Sequence, residues 1–438
     1  MKHSITIGVV CLARKTFDYN AAAEIYGRIR NDLSKIEHVR WEFVNDLVIE
    51  VEDAQAATRE LSRKAIDGLV CISGTFHLGH LVLELARTIK APLMLWGLNE
   101  LPYDGGKIRL NSVCGVNLNA SNLYKAGIRD YHAIIQDTVD ENWIDAVRIK
   151  AALSNSRVGI AGYRAHGFFN IDVDEPSTYR ELGVLVDHYE LADIFNSPAG
   201  HAEVKAEKGK YTDLFDVSGI SSDQLDLVAS LAAKLRSFLD SRNISALALR
   251  CWPEFAASYG ISPCAAMSLL QSEGRIIACE GDIDGALSML AHRAVGAETP
   301  FLADLSQINI EGNFALLWHC GVAPCNLWDE TCVRSLDTYF AGGKGVTADF
   351  VMKPGAVSIM RMDSVGGRYR MFMQSALGIP MDKELRGTYL KVVFEEPVKR
   401  VFERIIYNGI AHHASMAYGE YRLPLEIFAR MRGWEVIR

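Results

Sequence analysis

Apolar segments of this sequence end repeatedly in residues that can hold a cation or move a proton. The run ACEGDIDGA delivers Glu280 to the end of the apolar stretch Arg275 to Cys279, and Asp282 and Asp284 follow at once. Ligands in open α/β sheets bind at the carboxyl ends of strands. Glu280 is therefore a candidate site residue. Asp282 is the best candidate to cap the next helix. The run FLADLSQI then carries Asp304, with room for one helix and one short strand after Glu280. Both carboxylates can reach the same rim. Facing carboxylates repel unless a shared proton or a cation lies between them. A hard divalent cation is the simpler resolution.

Histidines complete the candidate set. ALLWHCGVAP places His319 at the end of an apolar strand, where Gly321 and Pro324 turn the chain. A lone histidine in that position is more often a hydrogen-bonded core residue than a ligand. IAHHASMAYGEY places His412 and His413 between Gly409 and Gly419, in a predicted loop before the last helix. Adjacent side chains diverge, so at most one of the two points at a given metal, and a surface pair is the alternative. Arg164 and His166 occupy a glycine-rich strand end where they could meet a polar or anionic substituent; a surface arginine and a loop histidine are the alternative reading. No G-x-G-x-x-G opens a helix, no G-x-S-x-G elbow occurs, and AGGKG lacks phosphate-loop spacing.

Around these residues the elements alternate. ITIGVVCLA, Trp41 to Leu47, IDGLVCISG and PLMLWGLN read as strands, with helices at Ala21 to Ser34 and Asp53 to Ala65. Lys125 to Leu153 reads as largely helical. The pattern restarts at RVGIAGYRAHGFF, with helices expected at Glu181 to His188, Gln224 to Ser241, Ser262 to Glu273 and Ile283 to Val295, and strands at SALALRCWPEF and RIIACEGD. Continuous apolar strands between helices imply parallel sheets covered on both faces. The last third alternates in period two with Gly and Pro punctuation, as in an antiparallel sheet or small barrel. Helices from Pro397 to Tyr407 and Pro424 to Arg432 close the chain. The expected class is α/β: two doubly wound domains, 1–153 and 154–296, then a β-rich domain with closing helices, 297–438.

At 438 residues, 49% hydrophobic and 23% charged, the chain is long enough for two or three cores. A net charge of -8 without a basic block excludes an obvious nucleic-acid surface. No apolar run is long enough for a bilayer, and the N-terminus lacks a signal-peptide pattern. Nine scattered cysteines, none in C-x-x-C, suit reduced thiols in the cytoplasm.

Together, ACEGDIDGALSML, FLADL, LLWHCGVAP and AHHASMAYGEYRLPLEIFARMRGWEV resemble the L-fucose isomerase and L-arabinose isomerase superfamily in order and spacing. The resemblance runs from about Leu247 to the end. It implies a Mn²⁺-type cation (or Co²⁺ or Mg²⁺) held by Glu280, Asp304 and His413, with His412 beside the substrate. His319 matches a histidine that ligates metal in the arabinose branch, whereas an aspartate at 304 points to the fucose branch. Arg14, after the first strand, matches a substrate arginine that serves a neighbouring subunit. CWPEF also looks like family sequence, so Trp252 and Glu254 join Arg164 as candidates for the sugar pocket. The implied reaction is aldose–ketose isomerisation, a proton moving between C1 and C2 of an open-chain sugar through a metal-stabilised enediolate. Glu280 and Asp304 would be the acid and base. A metal-dependent epimerase or aldolase, or a non-catalytic sugar-binding protein, is the alternative. A cytoplasmic homo-oligomer, trimeric or hexameric with sites near subunit contacts, is the expected form.

Overall fold

The residues that end in Glu280 belong to a strand buried on both faces, and so do most strands before it. In the computed structural model, which describes residues 1–339 and 341–438, the chain forms two compact units. One comprises Lys2–Ala151 with Leu423–Trp434. The other comprises Ala152–Arg422 with Glu435–Arg438 and Met1.

The first unit holds a five-stranded parallel sheet: β1 (Ile5–Leu12), β2 (Val39–Phe43), β3 (Gly68–Ser73), β4 (Leu93–Gly97) and β5 (Tyr131–Ile135). Their order is β2-β1-β3-β4-β5. All of β3 and β4 is buried, which is why these segments read as unbroken apolar runs. The sequence between Lys125 and Leu153 is not one helix. A helix ends at Lys125, β5 follows, and a second helix spans Glu141–Ser154. Gly127 breaks the pattern at φ +82°.

The second unit repeats this winding and then departs from it. Its parallel sheet contains β6 (Arg157–Ala161), β7 (Leu185–Tyr189), β8 (Ala246–Leu249) and β9 (Ile277–Cys279), in the order β7-β6-β8-β9. Here too one expectation is corrected. Residues 185–189 form β7, and the helix lies earlier, at Glu175–Leu182, where Asp174 caps it and Gly183 ends it at φ +74°.

The remaining strands are β10 (Phe301–Asn309), β11 (Phe314–His319), β12 (Ser335–Asp337), β13 (Thr347–Val351), β14 (Gly355–Val365), β15 (Arg368–Ile379), β16 (Thr388–Phe394), β17 (His413–Tyr418) and β18 (Glu435–Ile437). They form one mixed, mostly antiparallel sheet. Because β16 pairs with both β11 and β15, the strands β16-β11-β10-β17-β14-β15 close into a ring. Closure removes the free edges of those six strands. Of the histidine pair only His412 lies in a loop: His413 is the first residue of β17, a strand paired to β10 and β14.

A single apolar core joins the parallel sheet to the ring, running from Leu247 and Leu249 through Cys279 to Phe301, Leu317 and Met416. The helix Ile283–Ala294 lies in this unit, packed against β8, β14 and β17. Every residue in it except Arg293 is buried. This helix directly follows Glu280, so the core fixes where that residue starts. All nine cysteines are free thiols. Among the described residues, no helix is long and apolar enough to cross a membrane.

His292, in this helix, is fully buried, and its Nδ1 lies 2.9 Å from Ser415 Oγ. Burial lowers its pKa to about 3. An unfolded histidine titrates near 6.5. The stability this difference carries is therefore present above pH 6.5 and is lost as pH falls from 6.5 towards 3. Replacing His292 by Met should flatten that acid limb by up to roughly 5 kcal/mol, at about 1.4 kcal/mol per pKa unit. Denaturant unfolding of both proteins between pH 4 and 7 measures the difference.

Candidate active site

Glu280 leaves β9 in the left-handed region, at φ +64°, and Gly281 follows at φ +79°. A carbon added at Gly281 would lie 2.4 Å from Tyr163 O, so only glycine lets the two loops meet. The contact is sealed by Ala165 N–H donating to Glu280 O at 2.8 Å. Asp282 then caps the buried helix, accepting from Gly285 N at 2.8 Å. Thus the cap expected from the sequence is present. A left-handed glutamate is strained, and here the strain turns its carboxylate towards the ring strands.

Three ring strands supply the partners. Asp304 on β10 pairs in register with His413 on β17. Cross-strand neighbours share a face, and His413 Nε2 lies 3.3 Å from Asp304 Oδ1 and 3.5 Å from Glu280 Oε2. His319 ends β11, and its ring centroid is 5.6 Å from that of His413. His412 Nε2 is 3.4 Å from Glu280 Oε2. Two sets of donor atoms gather within 4.8 Å of one another: Glu280, His412 and His413, and Asp304, His319 and His413. His413 is common to both.

Hydrogen bonds separate the three imidazoles. His413 Nδ1 faces Asp282 Oδ2 at 2.9 Å, so this nitrogen is the donor and Nε2 is left bare in the neutral ring. That buried Nε2 makes no hydrogen bond, although two carboxylates flank it. An imidazole nitrogen 3.3 and 3.5 Å from two carboxylates is close to the spacing, roughly 3 Å, of neighbouring ligands about 2.1 Å from a six-coordinate cation. The residues therefore fit a hard or borderline divalent ion. His412 is different: Asn170 Nδ2 donates to its Nδ1 at 3.0 Å, which places the proton on Nε2. In the neutral ring His319 Nδ1 accepts from Cys320 N at 2.9 Å, which leaves the proton on Nε2.

Charge follows from the same contacts. Without a cation, burial opposes protonation of His413, but the adjoining Asp282 and Asp304 carboxylates prevail and raise its pKa to about 9, so Nε2 is bare only when a cation takes the place of its proton. Burial likewise opposes protonation of His319, yet Cys320 and Asp304 raise it to about 10. Burial would raise Asp304; the charge of His319 and the bond to His413 hold it below the usual carboxylate value instead. Asp284 goes the other way. Burial raises it to about 6, while its oxygens accept from Ser364 N at 2.9 Å, Ser364 Oγ at 2.7 Å and the Tyr369 hydroxyl at 2.8 Å.

The other candidates line up less evenly. Trp252 meets Phe168 edge-on at 5.8 Å, and Phe168 meets His412 at 5.5 Å, so an aromatic wall reaches the histidine pair. Arg164 follows Tyr163 in the loop that packs on Gly281. Its Nε lies 3.5 Å from Asp172 Oδ1 without a hydrogen bond, and its guanidinium covers Phe169 at 4.6 Å. Glu254 is bound by Arg250. His166 is exposed. Arg14 belongs to the other unit, at the carboxyl end of β1. Sequence reasoning missed Asn170 and Arg361 and gave Asp282 only a capping role. No local signal marks Asn170 or Arg361, because their partners are far away in the chain.

The site can be set beside known proteins. Residues 8–155 match the family model described as fucose/sulfoquinovose isomerase, N-terminal domain. A sulfoquinovose isomerase of Priestia aryabhattai is 26% identical over 98% of each chain. These matches support a fucose isomerase-like family of sugar isomerases for this chain. Another relative, the sulfoquinovose isomerase of Alkalicoccus urumqiensis, is 24% identical over 99% of each chain. A periplasmic ribose ABC transporter structure from Conexibacter woesei covers 68% of this chain and 85% of its own, at 12% identity and a TM-score of 0.16; likeness at that level carries no argument.

The strain at Glu280 yields a prediction that separates stability from chemistry. Glu280→Gly removes a left-handed non-glycine residue and should raise unfolding free energy by about 1 kcal/mol, while removing a carboxylate of the site and with it turnover. Chemical denaturation and an isomerisation assay on the same preparation would show both effects. A loss of both stability and activity would contradict the strain argument.

Proposed function

We propose that the chain is a divalent-metal-dependent aldose–ketose isomerase acting on a sulfonated hexose of the sulfoquinovose type. The observation that carries the reaction class is the bare Nε2 of His413 between Glu280 and Asp304. The substrate rests on relatives named sulfoquinovose isomerase that match almost the whole chain. Glu280, Asp304 and His413 would hold the cation, and Mn²⁺ suits this mixture of carboxylates and imidazole. When bound, the cation supplies Lewis-acid stabilisation for the negative charge that develops on the two sugar oxygens.

The chain's own groups do the rest. Glu280 takes the proton from C2 of the open-chain aldose and returns it at C1. Asp304 passes the hydroxyl proton from O2 to O1. A carboxylate acting as base and then as acid balances each transfer. The Nε2–H groups of His412 and His319 donate to sugar oxygens, and Asn170 keeps His412 in that tautomer. Phe168 and Trp252 cover an apolar sugar face and exclude water. Arg164 is the group assigned to the sulfonate. Glu254 is assigned a supporting role through Arg250. The family resemblance supports a cytoplasmic homo-oligomer, trimeric or hexameric, and a place for Arg14 in it.

Purified protein is expected to convert sulfoquinovose to its ketose with Mn²⁺ and to stop on EDTA treatment. Activity on other sugars alone would keep the class and remove the substrate; sugar binding indifferent to EDTA, without turnover, would favour a binding protein. Glu280→Gln should lower kcat by at least about 10²-fold, the scale of general acid–base catalysis; near wild-type turnover with metal bound would remove Glu280 from the acid/base pair. Arg164→Met should raise KM for the sulfonated sugar by about 10-fold or more, the loss of a charge-assisted bond, and change KM for neutral hexoses far less.

A further inference from the structure

The strongest unassigned feature is a buried chain of charges behind His413. Asp282 Oδ2 accepts from His413 Nδ1 at 2.9 Å and from Arg361 Nη1 at 2.7 Å. Asp282 Oδ1 accepts from Arg361 Nη2 at 3.2 Å and from Gly285 N at 2.8 Å. Arg361 Nη1 also donates to the carbonyl of His413 at 3.2 Å. All three side chains are within 1% of complete burial. Outward from Arg361, Asp363 accepts from its Nε at 3.2 Å and is itself clamped by Arg370 at 2.7 and 2.9 Å. Helix capping needs one oxygen of Asp282. The second oxygen serves only His413 and Arg361.

We propose that Asp282 and Arg361 are positioning residues that make His413, alone of the three clustered histidines, the imidazole ligand. The inference rests on the metal reading given above. Arg361 holds Asp282 by both oxygens and the His413 backbone by its carbonyl, so ring and main chain are fixed by one guanidinium. With Nδ1–H committed to Asp282, the lone pair of Nε2 points at the space between Glu280 and Asp304. His412 and His319 receive a hydrogen bond at Nδ1 instead and present N–H at Nε2. A partner that orients a metal-bound histidine typically contributes 10- to 100-fold in metal affinity. Neither Asp282 nor Arg361 touches substrate.

Asp282→Asn tests this directly. The amide keeps an oxygen for the cap and places its NH₂ where Oδ2 accepted, opposite two donors. His413 must then turn its proton to Nε2, which faces the carboxylates. Mn²⁺ titration followed by electron paramagnetic resonance should show affinity about 10- to 100-fold weaker than wild type. The visible spectrum of the Co²⁺ protein should change as well, and the metal-free variant should unfold at lower temperature, because Arg361 loses a buried anionic partner. Unchanged affinity and spectrum, with wild type binding normally, overturn the relay and leave the isomerase reading intact. Wild type that binds neither Mn²⁺ nor Co²⁺ overturns both. A second measurement leaves Asp282 in place, should its variant not fold. In ¹⁵N-histidine-labelled, Mg²⁺-loaded protein, the ring whose signals vanish in His413→Gln should carry its proton on Nδ1. A bare Nδ1 there overturns the relay.

Discussion

Negative charge that must be buried governs this site. Glu280, Asp282, Asp284 and Asp304 converge at the junction of a parallel sheet and an antiparallel ring, where an unpaired charge is strongly disfavoured. The molecule settles each differently. Arg361 and His413 pair Asp282, whose pKa lies far below the carboxylate norm despite its burial. Asp284 accepts three hydrogen bonds, and burial raises its pKa to about 6. Glu280 and Asp304 are left facing one imidazole nitrogen. The ring closes around this arrangement: β14 brings Arg361, β17 brings His413 and β10 brings Asp304.

Residue type alone does not assign role. Three histidines lie within one cluster, and their second nitrogens decide what each can do. A carboxylate behind His413 makes Nε2 an electron-pair donor. An amide behind His412 and a peptide N–H behind His319 make theirs hydrogen-bond donors. That hydrogen bond fits the role proposed for His319 beside the sugar oxygens, whereas the resemblance to the arabinose branch implied a ligand.

Much of this was legible in the sequence. The strand-terminal position of Glu280, the aspartate after FLA and the histidine pair all follow from apolar runs that stop at polar residues, and the two parallel sheets follow from strands without polar alternation. The failures have physical causes. β5 and β7 are short, half-exposed strands, and their mixed burial gives no clear period. His413 was assigned to a loop because glycines flank HHASMAY, yet pairing on both sides makes it a strand. Arg361 lies in the run SIMRMDS and meets Asp282, 79 positions away, only after the ring has closed. Long-range pairing of this kind leaves no local trace.

The loop after β6 has a consequence for how such a protein can diversify. Phe168, Asn170 and Arg164 all belong to this one stretch, whereas Glu280 directly follows β9, Asp304 lies on β10 and His413 on β17. Except for the close approach at Gly281, the two sets are built from separate pieces of chain. On the proposed function, mutations in the loop would retune which sugar is accepted without dismantling the reaction centre. Inheritance of the chemistry and drift of the preference are thus uncoupled, and a lineage can change its diet while keeping its catalyst.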